Sequence, residues 1–181
     1  MSETFVVFDG VTRVAAGSRL EAALAAQARG GAVLIFDPEG RQVDFDLTGG
    51  PADLSARLSP APEPEEAPRG RGRPKLGVTA REVTLLPRHW DWLAGQPGGA
   101  SVALRKLVEA ARREGEAPDR MRRAREATYR FANAVAGDLP DYEAAIRALF
   151  AGQRATFEEA ISAWPVDIVD QIRVFAADAW G

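Results

Sequence analysis

The sequence contains no cysteine and a single histidine, His89. Without cysteine there can be no disulfide, no thiol nucleophile and no cysteine-ligated metal or iron–sulfur centre. With one histidine, a zinc site would need its ligands almost entirely from carboxylates, which zinc rarely accepts. The glycine pairs Gly30-Gly31 and Gly98-Gly99 lack the Lys-Ser/Thr that follows in a phosphate-binding loop. We therefore predict no cofactor, no metal site, no catalytic residues and no enzymatic activity.

Long apolar runs are also missing. The stretch from Ala32 to Phe36 is far too short to cross a bilayer. The first residues, Met1 to Phe5, have neither the basic region nor the apolar core of a signal peptide. These absences predict a soluble cytoplasmic protein with no membrane partner.

The charge is unevenly distributed along the 181 residues, although the net charge is only −3. Residues 69–130 hold 15 basic and 7 acidic residues, a net charge of +8. Residues 1–68 have 5 basic and 11 acidic residues, and residues 131–181 have 3 basic and 8 acidic residues. A basic centre between acidic flanks favours an anionic partner for the middle of the chain.

Hydrophobic periodicity and turn residues predict an α+β protein that begins with a small ββαββ domain over residues 1–59. Ser18 is predicted to cap the first helix, with Glu21 at the capping-box spacing. Val43, Phe45 and Leu47 alternate with polar residues, as in a strand with one wet face. The predicted strands cover residues 5–8, 11–14, 32–36 and 43–47, and the predicted helices cover residues 18–28 and 51–58.

Three further segments follow this domain. Residues 60–78 are predicted to be a flexible linker, because four prolines and three glutamates fill residues 60–68. Residues 79–115 are predicted to form a strand-helix-helix unit, with its second helix capped by Ser101. Residues 116–181 are predicted to form a C-terminal helical bundle, with helices over residues 121–135, 140–150, 155–164 and 166–180.

Within the linker, Arg71-Gly72-Arg73-Pro74-Lys75 resembles the AT-hook, a short motif built on Arg-Gly-Arg-Pro. An extended Gly-Arg-Pro core is narrow enough for the minor groove, and guanidiniums favour the strong negative potential of narrow A·T tracts. The resemblance implies that Arg69, Arg71, Arg73 and Lys75 contact DNA. The alternative is a solubilising basic linker that balances Glu63, Glu65 and Glu66.

Residues 81–113 resemble the ribbon-helix-helix family of bacterial repressors, through Val83-Thr84-Leu85-Leu86-Pro87, then Trp90, Trp92 and Leu93, then Gly99 and Ser101 to Val108. The resemblance implies a homodimer in which two paired strands enter the major groove. It also implies that the start of the second helix holds a phosphate. The alternative is a dimerising unit with no role in DNA binding. The residues implied to contact DNA are Arg81, Thr84, Arg88, Ser101, Arg105 and Lys106.

Most of the chain also resembles an uncharacterised bacterial family, a domain of unknown function. The segments that carry this resemblance are Gly72 to Gly77 and Arg81 to Leu93. The resemblance implies no activity. The basic centre and the resemblances to the AT-hook and the ribbon-helix-helix family together imply a dimeric DNA-binding protein, a transcriptional regulator or nucleoid-type protein that contacts phosphates and the A·T-rich minor groove. The alternative is a protein–protein or antitoxin-like module that binds a partner through the acidic N-terminal or C-terminal region.

Overall fold

The computed structural model of the protein describes residues 4–58, 79 and 81–180. Over these residues the fold is α+β, as predicted, with a three-stranded antiparallel sheet and seven helices. The predicted linker, residues 60–78, lies entirely outside the described residues. The strands are β1 (Phe5–Asp9), β2 (Thr12–Gly17) and β3 (Leu34–Phe36), and the helices are α1 (Arg19–Arg29), α2 (Pro51–Leu58), α3 (Pro87–Ala94), α4 (Gly99–Val135), α5 (Tyr142–Ala151), α6 (Arg154–Ala160) and α7 (Val166–Phe175).

Strand β1 is the centre of the sheet, which has the order β2-β1-β3. Its apolar run is buried on both faces, which explains why the sequence shows no polar alternation there. Phe5 and Val7 pack on one face with alanines of α1 and with Ile35. Val6 and Phe8 pack on the other face with Phe36 and the C-terminal helices.

The larger core joins the sheet to helices α4 to α7. Phe131 of α4 lies at its centre, with ring centroids 5.1 Å from Phe8, 4.9 Å from Phe36 and 5.3 Å from Phe175. The four rings meet at tilted or edge-on angles, which aromatic pairs prefer. Residues at the two ends of the chain therefore share one core.

The predicted strand over residues 43–47 is wrong, although its alternation is real. Val43, Phe45 and Leu47 are half-buried, while the polar residues between them are exposed. The carbonyls that would continue a ladder bond to helix side chains instead. Gln27 Nε2 of α1 donates to Leu47 O at 2.7 Å, and Arg57 Nη2 of α2 donates to the carbonyls of residues 46 and 48. Only an isolated bridge from Gln42 to Phe36 remains.

Helix α4 also differs from the prediction, which ended one helix before Pro118 and began another at Met121. The structure has one helix of 37 residues with Pro118 inside it. Proline removes one backbone hydrogen bond, but its fixed φ is compatible with a helix. Arg122, which is bonded to Asp119 at 3.1 Å and to Glu126 at 3.5 Å, supports the following turns.

The contacts divide the chain into two compact units. Unit 1 comprises Met1–Ser59 and Ala117–Gly181, and unit 2 comprises Pro60–Glu116. The four segments predicted from the sequence, 1–59, 60–78, 79–115 and 116–181, stay a prediction. The helices predicted in the last segment are present, with α6 and α7 ending earlier than expected.

Candidate nucleic-acid interface

The described part of unit 2 consists of residues 79 and 81–116, with α3 and the first half of α4. Helix α3 begins at Pro87, a position where the missing N–H costs nothing, and Leu86 before it is extended. Leu93 and Ala103 are buried between the helices, and Leu85 and Leu104 are half-buried. Two buried apolar residues are a small core for a segment of this length.

Residues 81–86, the predicted ribbon strand, have no strand hydrogen bonds in the single chain. In a ribbon-helix-helix dimer this strand pairs only with the same strand of a second copy. A single chain therefore cannot form the ladder, and the ribbon remains part of the dimer hypothesis.

The predicted DNA-contacting residues fall into two groups. Arg81, Thr84, Arg88, Ser101, Arg105 and Lys106 are described, and all six are exposed. Arg69, Arg71, Arg73 and Lys75 lie outside the described residues.

The predicted helix cap at Ser101 is wrong, because α4 begins two residues earlier at Gly99. Ser101 lies in the first turn, and its carbonyl accepts a bond of 3.2 Å from Arg105 Nε. Backbone N–H groups in a first turn have no partner within the helix, so this end of α4 can still meet a phosphate.

Within unit 2, the cations of helix α4 lie on one side of the helix. At 100° per residue, Arg105, Lys106 and Arg113 fall on the side away from Ala103 and Leu107. Val102, Glu109 and Glu116 also fall on this basic side. The cations of this half of α4 therefore lie on one side of the helix, and Ala103 and Leu107 lie on the other.

Ion pairs hold some cations of the chain but not others. Arg29 pairs with Asp9 at 2.6 Å, and Arg173 pairs with Glu158 at 2.8 Å. The hydrogen bond to Asp119 raises the pKa of Arg122. Five cations of unit 2 are exposed and make no ion pair with any described residue: Arg81, Arg88, Arg105, Lys106 and Arg113.

Unit 2 also exposes large apolar side chains. A cavity of about 270 Å³ is lined by Leu85, Trp92 and neighbouring leucines, together with the exposed His89. Trp92 is 54% exposed and Val108 is 55% exposed. The exposed large apolar residues of unit 2 are Val83, Leu86, Trp90, Trp92, Leu107 and Val108.

A family model described as "Uncharacterized protein conserved in bacteria (DUF2239)" matches residues 4–176. The chain belongs to this family. The match covers nearly all of unit 1 and the whole of unit 2. No curated protein and no solved structure matches the chain.

Sequence reasoning missed a second candidate site of this DUF2239 protein, a cleft of about 610 Å³ in unit 1. Arg13 and Gln171 line it and are hydrogen-bonded to each other, although 158 positions separate them. Neither residue belongs to a motif, and no local pattern could have brought them together.

Two searches of the described residues gave negative results. No group of three or more histidine, aspartate or glutamate residues in residues 4–58, 79 and 81–180 converges to hold a metal ion. None of the helices in that part of the DUF2239 chain has both the length and the apolar character to cross a bilayer.

Proposed function

We propose that this DUF2239 protein binds DNA as a homodimer, with the phosphates contacted by the basic side of α4. The observation that carries the proposal is the set of exposed cations in unit 2 that have no ion pair among the described residues. Arg and Lys side chains already paired with carboxylates must break those pairs to bind phosphate. Unpaired cations have no such cost, and they release counterions when they bind.

The exposed large apolar residues of unit 2 support the homodimer. Six large apolar residues that are 40% to 55% exposed contrast with two buried apolar residues in the same segment. Adjoining exposed apolar side chains mark an interaction surface, and Trp92 and Leu107 line one cavity. In the proposed dimer, each copy supplies the apolar surface that the other lacks, and strands 81–86 pair across the two-fold axis.

The finer assignments follow from the resemblances given above. The paired strands would carry Thr84 into the major groove, with Arg81 and Arg88 on the backbone. The arm from Arg69 to Lys75 would follow the neighbouring minor groove, where it would favour A·T-rich sequence.

The first test is fluorescence anisotropy with A·T-rich and G·C-rich duplexes over a series of salt concentrations. We expect affinity to fall steeply as salt rises. The double variant Arg105→Gln/Lys106→Gln should weaken binding to both duplexes and reduce the slope of log K against log salt by about 2.

The matched control is Arg147→Gln/Arg154→Gln, which removes the same charge from exposed positions on α5 and α6. It should change the salt slope by much less. Equal losses in both double variants would mean that net charge alone drives binding, and no binding at low salt would reject the proposal.

The arm is tested separately with Arg73→Ala. We expect this variant to lose the preference for the A·T-rich duplex while keeping most of its affinity for the G·C-rich duplex, since phosphate contacts are independent of sequence. A uniform loss on both duplexes would assign Arg73 to the phosphates and remove the minor-groove assignment.

The dimer is tested by light scattering after gel filtration, where the expected mass is twice 19.5 kDa. Trp92→Glu should give the monomer because it places a charge in the proposed interface. Val166→Glu, at a valine of unit 1 that is 70% exposed, should leave the dimer intact. A monomeric wild-type protein that binds no duplex would favour the alternative, a module for a different protein partner.

A further inference from the structure

We propose that the cleft of about 610 Å³ in unit 1 binds a small monocarboxylate with an apolar body, held by Arg13 and Gln171. The proposal concerns unit 1 and does not depend on DNA binding. The volume is within the range of small-molecule sites in proteins. Strands β1 and β2, the turn before Gly40, α4 and α7 all contribute to the walls.

The first argument is that the nearly buried Gln171 amide has N–H groups without an acceptor among the described residues. This side chain is only 3% exposed, and its Oε1 accepts a bond of 3.1 Å from Arg13 Nη1. That bond fixes the amide, so Nε2 has two N–H groups that donate to none of the described residues. Every fully buried side-chain nitrogen and oxygen among those residues has a hydrogen-bond partner. Because Nε2 donates to none of them, it is not fully buried, and we infer that it is accessible from the cleft that Gln171 lines. A nearly buried donor without an acceptor costs free energy, and a ligand in the cleft that supplies an acceptor would remove this cost.

The second argument is the charge of Arg13. Its backbone N–H donates to Asp167 Oδ2 at 2.9 Å, but its guanidinium makes no ion pair with a carboxylate of the described chain. The guanidinium and the Gln171 amide are joined by a hydrogen bond, so they form two adjacent donors. A carboxylate has two acceptor oxygens and a single negative charge, which suits this pair of donors.

The third argument concerns the rest of the ligand. Apolar side chains of β1, α4 and α7 line the cleft, including Val6, Ala124 and Phe175, so the ligand should carry an apolar body. The charged residues of the lining are three arginines and two carboxylates: Arg13, Arg120, Arg123, Glu39 and Asp178. The lining therefore carries a net charge of +1, which the single negative charge of a monocarboxylate would neutralise.

The test is isothermal titration calorimetry of the full chain with 3-phenylpropionate, with phenethylamine and inorganic phosphate as comparison probes. We expect saturable binding of 3-phenylpropionate and none of the other two. Gln171→Glu should weaken binding by about tenfold or more, because it replaces the donor with a second carboxylate and neutralises Arg13. Tighter binding of phosphate or of the amine would overturn the assigned ligand class.

A second variant keeps the proposal testable should Gln171→Glu fail to fold. Val174 and Val166 are both on α7 and are 62% and 70% exposed, but only Val174 lines the cleft. Val174→Trp should obstruct the cleft and weaken binding by about tenfold, whereas Val166→Trp should leave it unchanged. Equal binding by both variants, or no binding by the wild type, would refute the proposal.

Discussion

At the scale of single residues, Gly40 shows how closely the turn of residues 37–40 approaches α4. Its φ is +69°, and a Cβ at this position would overlap the backbone oxygen of Ala127. Nearby, Arg130 Nη1 of α4 donates to Glu39 O at 3.1 Å. The turn is therefore fixed on the helix by a close backbone contact and a hydrogen bond, and it forms part of the wall of the unit 1 cleft.

We predict that Gly40→Ala destabilises the protein by more than the conformational cost alone, about 1 kcal/mol for a residue with positive φ. The additional cost comes from the overlap with Ala127, which requires the turn to move. Gly31→Ala is the matched control, since Gly31 has φ +75° and open space at its Cβ. Urea denaturation measures both. Equal losses would mean that the turn can move away from α4 at little cost.

The capping box at the start of α1 gives a prediction on pH. Ser18 N donates to Glu21 Oε2 at 2.8 Å and Ser18 Oγ donates to it at 2.9 Å, and these bonds lower the pKa of Glu21. A carboxyl group with a lowered folded pKa contributes stability that is present above its unfolded pKa. That contribution is lost as the pH falls through the folded pKa.

We expect a carbon-detected NMR titration to give a pKa for Glu21 below its ordinary value. Ser18→Ala should move this pKa upward because it removes the hydroxyl donor, although the backbone donor remains. Ser18→Thr keeps the hydroxyl and should change it little. An unchanged pKa in Ser18→Ala would mean that the side-chain bond contributes nothing to the cap.

At the scale of elements, Pro118 is the least favourable residue in α4. It is exposed and lies inside the helix, where it offers no N–H to the ladder. We predict that Pro118→Ala raises the free energy of unfolding, by up to about 3 kcal/mol. Ala110→Pro, at another exposed position of α4, should lower it. Urea denaturation measures both changes, and a loss of stability in Pro118→Ala would show that the proline is needed for the path of the helix.

Elements with local signals could be predicted from the sequence. The Ser18–Glu21 capping box is confirmed, because both partners lie within one turn. Helix α2 has the predicted bounds, and the half-burial of Val43, Phe45 and Leu47 follows the predicted alternation. The strand itself was wrong because its hydrogen-bond partners are decided by Gln27 and Arg57, which no periodic pattern of residues 43–47 can reveal.

At the scale of the whole molecule, prediction failed where distant segments meet. The core of unit 1 joins β1 and β3 to α4 and α7 across more than a hundred residues, and the basic linker of the sequence lies between them. Periodicity indicates which side of an element is apolar, but it does not indicate which other element covers that side. The Arg13–Gln171 pair and the cleft were missed for the same reason.

This shared core predicts that both ends of the chain unfold together. Phe131 is fully buried against Phe8, Phe36 and Phe175, so Phe131→Ala removes contacts with β1, β3 and α7 at once. We expect a loss of about 3 to 5 kcal/mol. Phe150→Ala is the matched control, because Phe150 is 50% exposed and should cost far less.

Hydrogen exchange read by mass spectrometry shows whether the loss is shared. If residues 5–36 and 131–175 form one cooperative unit, the amides of β1 and α7 should lose protection by the same factor in Phe131→Ala. The reason is that Phe131 packs against both segments. If either segment opened alone, the apolar side chains that Phe131 covers in β1 and α7 would become exposed to water. Loss of protection in α7 with β1 unchanged would mean that the N-terminal sheet is stabilised by its packing on α1, and that the core around Phe131 is not needed to keep it folded.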